Sequence, residues 1–98
     1  PQLATSIKGQ INTSLSFGIA PNPVFGNATF RYQLTRSGEV SLAIYDLSGR
    51  VVDMTFMGVQ AAGEQEISWN PTSRISNGLY VAKLQTAEGI QTLKFIKN

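Results

Sequence analysis

Cysteine and histidine are both absent from the 98 residues of this chain. Without cysteine there is no disulfide and no thiolate metal site, so the core must hold by packing alone. An extracellular home stays open all the same. Without histidine, the commonest general base, the commonest metal ligand and the usual switch near neutral pH are gone. Charge is sparse as well: 14% of residues are charged and the net charge is +2. The basic side chains Lys8, Arg31, Arg36, Arg50, Arg74, Lys83, Lys94 and Lys97 are scattered along the chain. Nucleic-acid binding wants them clustered on one face with stacking aromatics between, so no nucleic-acid partner is expected. No window approaches the ~20 apolar residues of a helical membrane span, and no membrane insertion is expected. The opening Pro1-Gln2-Leu3-Ala4 has neither a basic start nor an apolar run. It reads as a piece of a larger precursor without a signal peptide of its own.

What the chain does have is alternation. In Val40-Ser41-Leu42-Ala43-Ile44 the large apolar residues fall at every second position. That period of two marks a strand with one buried face. Asp46-Leu47-Ser48-Gly49 then reads as a turn. Asp at its first position can bond its own backbone, and Gly at its fourth tolerates a positive φ. Val51 and Val52 start the return strand. The same pattern recurs in both directions. Leu15, Phe17 and Ile19 precede Pro21-Asn22-Pro23, which puts the first strand at a sheet edge or a crossing between sheets. Ala28, Phe30, Tyr32 and Leu34 give a second strand, followed by the turn Arg36-Ser37-Gly38. Val52, Met54 and Phe56 are expected inside, with Asp53 and Thr55 outside, and Gly58 with Ala61-Ala62-Gly63 reads as a loop. Gln65, Ile67 and Trp69 follow, then Tyr80, Ala82 and Leu84, then Leu93 and Phe95. Turn residues at Asn70–Ser73, Ser76–Gly78 and Ala87–Gly89 separate these runs.

About seven short strands at even spacing predict an all-β chain, an Ig-like β-sandwich of two antiparallel sheets. The length suits one domain, which buries roughly two thirds of its unfolded surface. Residues 15–98 are assigned to it. Residues 1–14, rich in Ser, Thr, Gln and Asn, read as a polar linker or an extra edge segment.

Several fragments occur in an ordered set: Ala20-Pro21-Asn22-Pro23, the run Gly38 to Val52, Ala62-Gly63-Glu64, Ser76-Asn77-Gly78-Leu79-Tyr80-Val81, and the ending Leu93-Lys94-Phe95-Ile96-Lys97. Over residues 18–97 this resembles the C-terminal sorting domain of the type IX secretion system. The Ig-like domain of flagellar hook-capping proteins shares much of the pattern. The resemblance implies a non-catalytic address at the end of a larger cargo protein, read by secretion machinery at the outer membrane and removed by a sortase-like peptidase. It implies a Gram-negative bacterium, passage through the periplasm, and a secreted or cell-surface destination. It places the signal in the last two strands, at Gly78, Leu79, Tyr80, Lys94, Phe95, Ile96 and Lys97. The N-terminal cargo would be covalently linked through the polar segment.

The remaining suggestive residues have plainer readings. Trp69 and the body of Tyr80 are phased inward and read as core. Glu64 and Glu66 share a strand face, but paired acids for glycoside hydrolysis need a cleft and one raised pKa, and a flat sheet offers neither. Asp46 alone is a weak calcium ligand. Gly49, Gly63 and Gly89 lack the strand–loop–helix context of a phosphate cradle. No spacing of Ser and Lys singles out a dyad. No catalytic residue, metal or cofactor is therefore expected. Two alternatives to an export address stand: a passive spacer or assembly module like the hook-capping domain, or a carbohydrate-binding module. The last needs several coplanar outward aromatics, and strand phase offers only Tyr45.

Overall fold

Alternation becomes pleat along the chain of the computed structural model, which describes residues 17–98. Leu15, Ser16 and the linker expected over residues 1–14 lie outside the described residues. The elements are β1 (Gly18–Ala20), β2 (Ala28–Leu34), β3 (Gly38–Tyr45), β4 (Val51–Gln60), β5 (Gly63–Trp69), β6 (Gly78–Thr86) and β7 (Gly89–Lys97), with no helix among the described residues. They form a three-stranded sheet in the order β1-β2-β5 and a four-stranded sheet in the order β4-β3-β6-β7. Every neighbouring pair is antiparallel. This is the expected two-sheet sandwich, with β1 at an edge as Pro21 requires.

The inward halves of the alternating runs meet between the sheets. Phe30, Tyr32, Leu42, Ile44, Ile67, Trp69, Tyr80, Ala82, Leu84 and Phe95 are all buried. Phe95 is the hub of the aromatic packing. Its ring centroid lies 5.3 Å from Trp69 and 6.0 Å from Phe30, both edge-on, and 6.0 Å from Tyr80 in a stacked pose. Edge-on pairs set a positive ring edge against a negative face, which adds to the area term of about 1.5–3 kcal/mol for each large apolar side chain buried. Ile75, from the loop between β5 and β6, reaches the same core.

The β3–β4 turn forms as its residues dictate. Asp46 N–H donates to the Arg50 carbonyl at 3.0 Å, and Gly49 N–H donates to the Asp46 carbonyl at 3.0 Å. Gly49 sits at φ 90°, which side chains rarely adopt.

β4 departs from the alternation read from sequence. Leu42 opposes Phe56 but Ala43 opposes Met54, so Thr55 is an extra residue; Ile44 opposes Asp53 and Tyr45 opposes Val51, so Val52 is another. Each bulge slips the pleat by one residue and exchanges inside for outside. Met54, expected inside, is therefore 48% exposed. Asp53, expected outside, turns in and accepts a hydrogen bond from Trp69 Nε1 at 2.8 Å. β4 also runs through Gly58 to Gln60 where a loop was expected, because Gly38, Glu39 and Val40 continue to offer partners. Phe56 covers the bare glycine: a Cβ on Gly58 would lie 3.4 Å from Phe56 Cζ.

Candidate functional site

β6 and β7 form a hairpin closed by Ala87-Glu88, and its register brings the two signal segments together. Gly78 opposes Lys97, Leu79 opposes Ile96, Tyr80 opposes Phe95, and Val81 opposes Lys94. All seven candidates thus share the open end of one hairpin, with 78–80 and 94–97 as cross-strand neighbours. The pleat divides them between two faces. Tyr80 and Phe95 point in, with exposures of 6% and 1%. Tyr80 reaches the rim, where its hydroxyl donates to the Ser76 carbonyl. Leu79 and Ile96 point out, 44% and 41% exposed, with exposed Lys94 along the same face of β7. Gly78 opens β6 at φ 151°, so its backbone alone accounts for a glycine there. Lys97 Nζ donates to Asn77 Oδ1 at 3.4 Å.

The Pro-Asn-Pro segment ties down the outer edge of this hairpin. Val24 N–H donates to the Ile96 carbonyl at 2.7 Å, and Asn98 N–H donates to the Val24 carbonyl at 2.8 Å. Ile96 N–H donates to Asn22 Oδ1 at 3.2 Å. Val24 forms a short parallel bridge with Lys97 and is completely buried. A strap from the start of the domain therefore fixes its last residues, and the edge of β7 is occupied there. Because Ile96 turns its N–H and C=O toward the strap, Leu79 and Ile96 form a non-hydrogen-bonded pair, the kind in which opposed side chains approach most closely.

Sequence reasoning placed the signal residues on two adjacent strands but missed Asn22, Val24, Asn77 and Asn98 as their partners. The Pro-Asn-Pro signal was visible; the contact of Asn22 with Ile96, across 74 positions, was not. It also passed over Phe25, which stands 68% exposed in the strap loop. Tyr45, expected to face outward, is half-buried, with Lys83 Nζ 5.5 Å from its ring centroid.

The other suggestive groups sit where plain chemistry puts them. Asp46 Oδ1 accepts from Ser48 Oγ at 2.6 Å, Ser48 N at 2.9 Å and Arg50 N at 3.1 Å. These bonds, the Ser48 hydroxyl foremost, hold its carboxyl below the usual range. Glu64 and Glu66 stand exposed on the outer face of β5, and Glu66 Oε2 lies 3.1 Å from Arg31 Nε. Among the described residues no three of His, Cys, Asp or Glu gather as a metal site. An open depression of about 1010 Å³ lies between the β3–β4 turn and the 72–76 loop, bordered by Arg50 and Arg74.

A small antiparallel sandwich whose two matching strands end in a strapped, outward-facing apolar pair belongs to the class of compact β recognition modules. A family model described as the secretion system C-terminal sorting domain matches residues 18–98, and the chain belongs to that family, the sorting domains of type IX secretion. No curated protein matches the chain. Membership makes this domain a C-terminal export signal for a secreted or cell-surface protein.

Proposed function

We propose that the address is the open end of the β6–β7 hairpin, read as a folded surface by the secretion machinery at the outer membrane. The observation that carries this is the register. Gly78, Leu79 and Tyr80 lie directly across from Lys97, Ile96 and Phe95, so two separate segments make one patch. In this reading Leu79, Ile96 and Lys94 contact the receptor, and Tyr80 and Phe95 hold the patch flat from beneath. Gly78 and Lys97 set its rim. The domain does no chemistry itself. Residues 1–14 serve as the tether to an N-terminal cargo, which passes through the periplasm of a Gram-negative cell. A sortase-like peptidase cuts the domain off at the surface.

The test is export of the full precursor in its native cell. Removal of Lys94–Asn98, or the pair Leu79→Lys with Ile96→Lys, is expected to leave the cargo in the periplasm. The paired substitution matters more, because both sites are exposed and the sandwich should still fold. Normal surface delivery of cargo carrying both lysines would refute the assignment.

A further inference from the structure

The sandwich has four strand edges, and they are not protected equally. β1 is only three residues long. β5 carries Glu64 and Glu66 on its exposed side. β7 carries Lys94 and Lys97 and is strapped by Val24 near its end. Short edges, charges and covering segments are the usual means by which sheets avoid pairing with other chains. β4 is different. It spans Val51–Gln60, the longest strand, and among the described residues it pairs with β3 alone. Its bulges protect the first half only, since register is regular from Phe56 to Gln60. No charged residue occurs between Asp53 and Glu64. Met57 and Val59 are each 71% exposed on its outer side.

We infer that this half of β4 is a self-association edge, and that its occupant is β4 of a second copy of this chain. The reading is independent of the proposed address, which lies on β6 and β7. The argument for a second copy is chemical symmetry. Antiparallel pairing about a two-fold axis at Gly58 sets Met57 against Val59 of the other copy, apolar against apolar, and Phe56 against Gln60. A neutral segment meets itself without like-charge repulsion, whereas the glutamates of β5 and the lysines of β7 would not. The axis stands perpendicular to the sheet, so the pair becomes one continuous eight-stranded sheet, twice the four strands of a single copy, with both outer faces on the same side. Nothing on the edge, neither charge nor pocket, selects a different strand.

Sedimentation velocity on the whole chain, from micromolar to millimolar concentration, tests this. The expected result is a concentration-dependent doubling of mass, with slowed amide exchange at residues 56–60 as the dimer fills. Val59→Lys and Met57→Lys should each raise the dissociation constant at least ~tenfold, because symmetry counts each substitution twice. Both sites are exposed, so unchanged thermal unfolding of the monomer verifies the fold. Ile90→Lys, on the outer side of β7, should leave the dimer intact. A chain that stays monomeric throughout overturns the inference. So does equal loss of dimer with Ile90→Lys, which would move the contact from the edge to the sheet face. A monomer whose export fails with Val59→Lys also overturns it, and hands the edge to a strand of another protein.

Discussion

The two sheets of this sandwich share one core but turn opposite kinds of surface to the outside. On the smaller sheet the outward cross-strand pairs are Thr29 with Ser68, Arg31 with Glu66 and Gln33 with Glu64. Every one is polar. On the larger sheet one outward row runs Val51, Tyr45, Val81, Lys94, and the next pair is Leu79 with Ile96. Met57 and Ile90 stand out further along. None of the exposed large apolar side chains lies on β1, β2 or β5. A sheet needs one apolar face to make a sandwich; a second has no use in folding and invites association. The difference marks the larger sheet as the side that meets other proteins, and the smaller as the side that meets water.

That contrast requires the inner and outer sides of the β6–β7 hairpin to do separate jobs. Phe95→Ala should cost about 3–5 kcal/mol, read by urea denaturation, because its ring touches Phe30, Trp69 and Tyr80 at 1% exposure. Ile96→Lys, one residue along and facing out, should stay within about 0.5 kcal/mol. Comparable losses at both positions would make the apolar outer face structural after all, and the contrast would lose its meaning.

Tyr32 offers a smaller effect from beneath the polar face. It is 2% exposed and its hydroxyl is buried without a partner. Burial pushes its pKa from the ordinary 10.0 up to about 12. Folding therefore favours the neutral phenol. This contribution is whole below the unfolded value and is lost as pH rises between 10.0 and about 12. Tyr32→Phe should change stability at neutral pH by no more than about 1 kcal/mol, in the stabilising direction. It should also flatten the alkaline decline in thermal midpoint. An unchanged decline would mean that another group carries it.

The strand order of events was legible because alternation is local. Ala28 to Leu34 came through with every inward residue in place, and so did Tyr80, Ala82 and Leu84. The lapse at β4 was equally physical. A bulge leaves no mark in composition, since Thr55 and Val52 are good strand residues, yet each one reverses the phase of what precedes it. Asp53 therefore looked like a solvent-facing residue and proved to be the acceptor for the buried indole of Trp69. The signal segments were legible as motifs, but their pairing partner was not. The strap depends on the Val24 backbone and one Asn22 amide meeting the far end of the chain, and no local period encodes such a meeting.

The smallest expected effect falls on the Arg31–Glu66 pair. Its ends are 3.1 Å apart, but the side chains are 71% and 59% exposed. Water and salt screen such a pair, and holding two long side chains in place costs rotamer entropy. Glu66→Ala should therefore change stability by about 0–1 kcal/mol, and added salt should erase even that. Export of the precursor should be untouched, because removing a charge from a hydrated face opens no contact and closes none. The informative variant is Glu66→Leu, which places an exposed apolar side chain on the polar sheet. If apolar exposure by itself were what the secretion machinery reads, this change would raise export or divert it. If the hairpin patch is read as a shaped pair, Leu79 against Ile96 with the strap behind it, a leucine on the opposite sheet is invisible. Measured beside Ile96→Lys in the same cells, Glu66→Leu thus separates a surface that is merely greasy from one that is recognised.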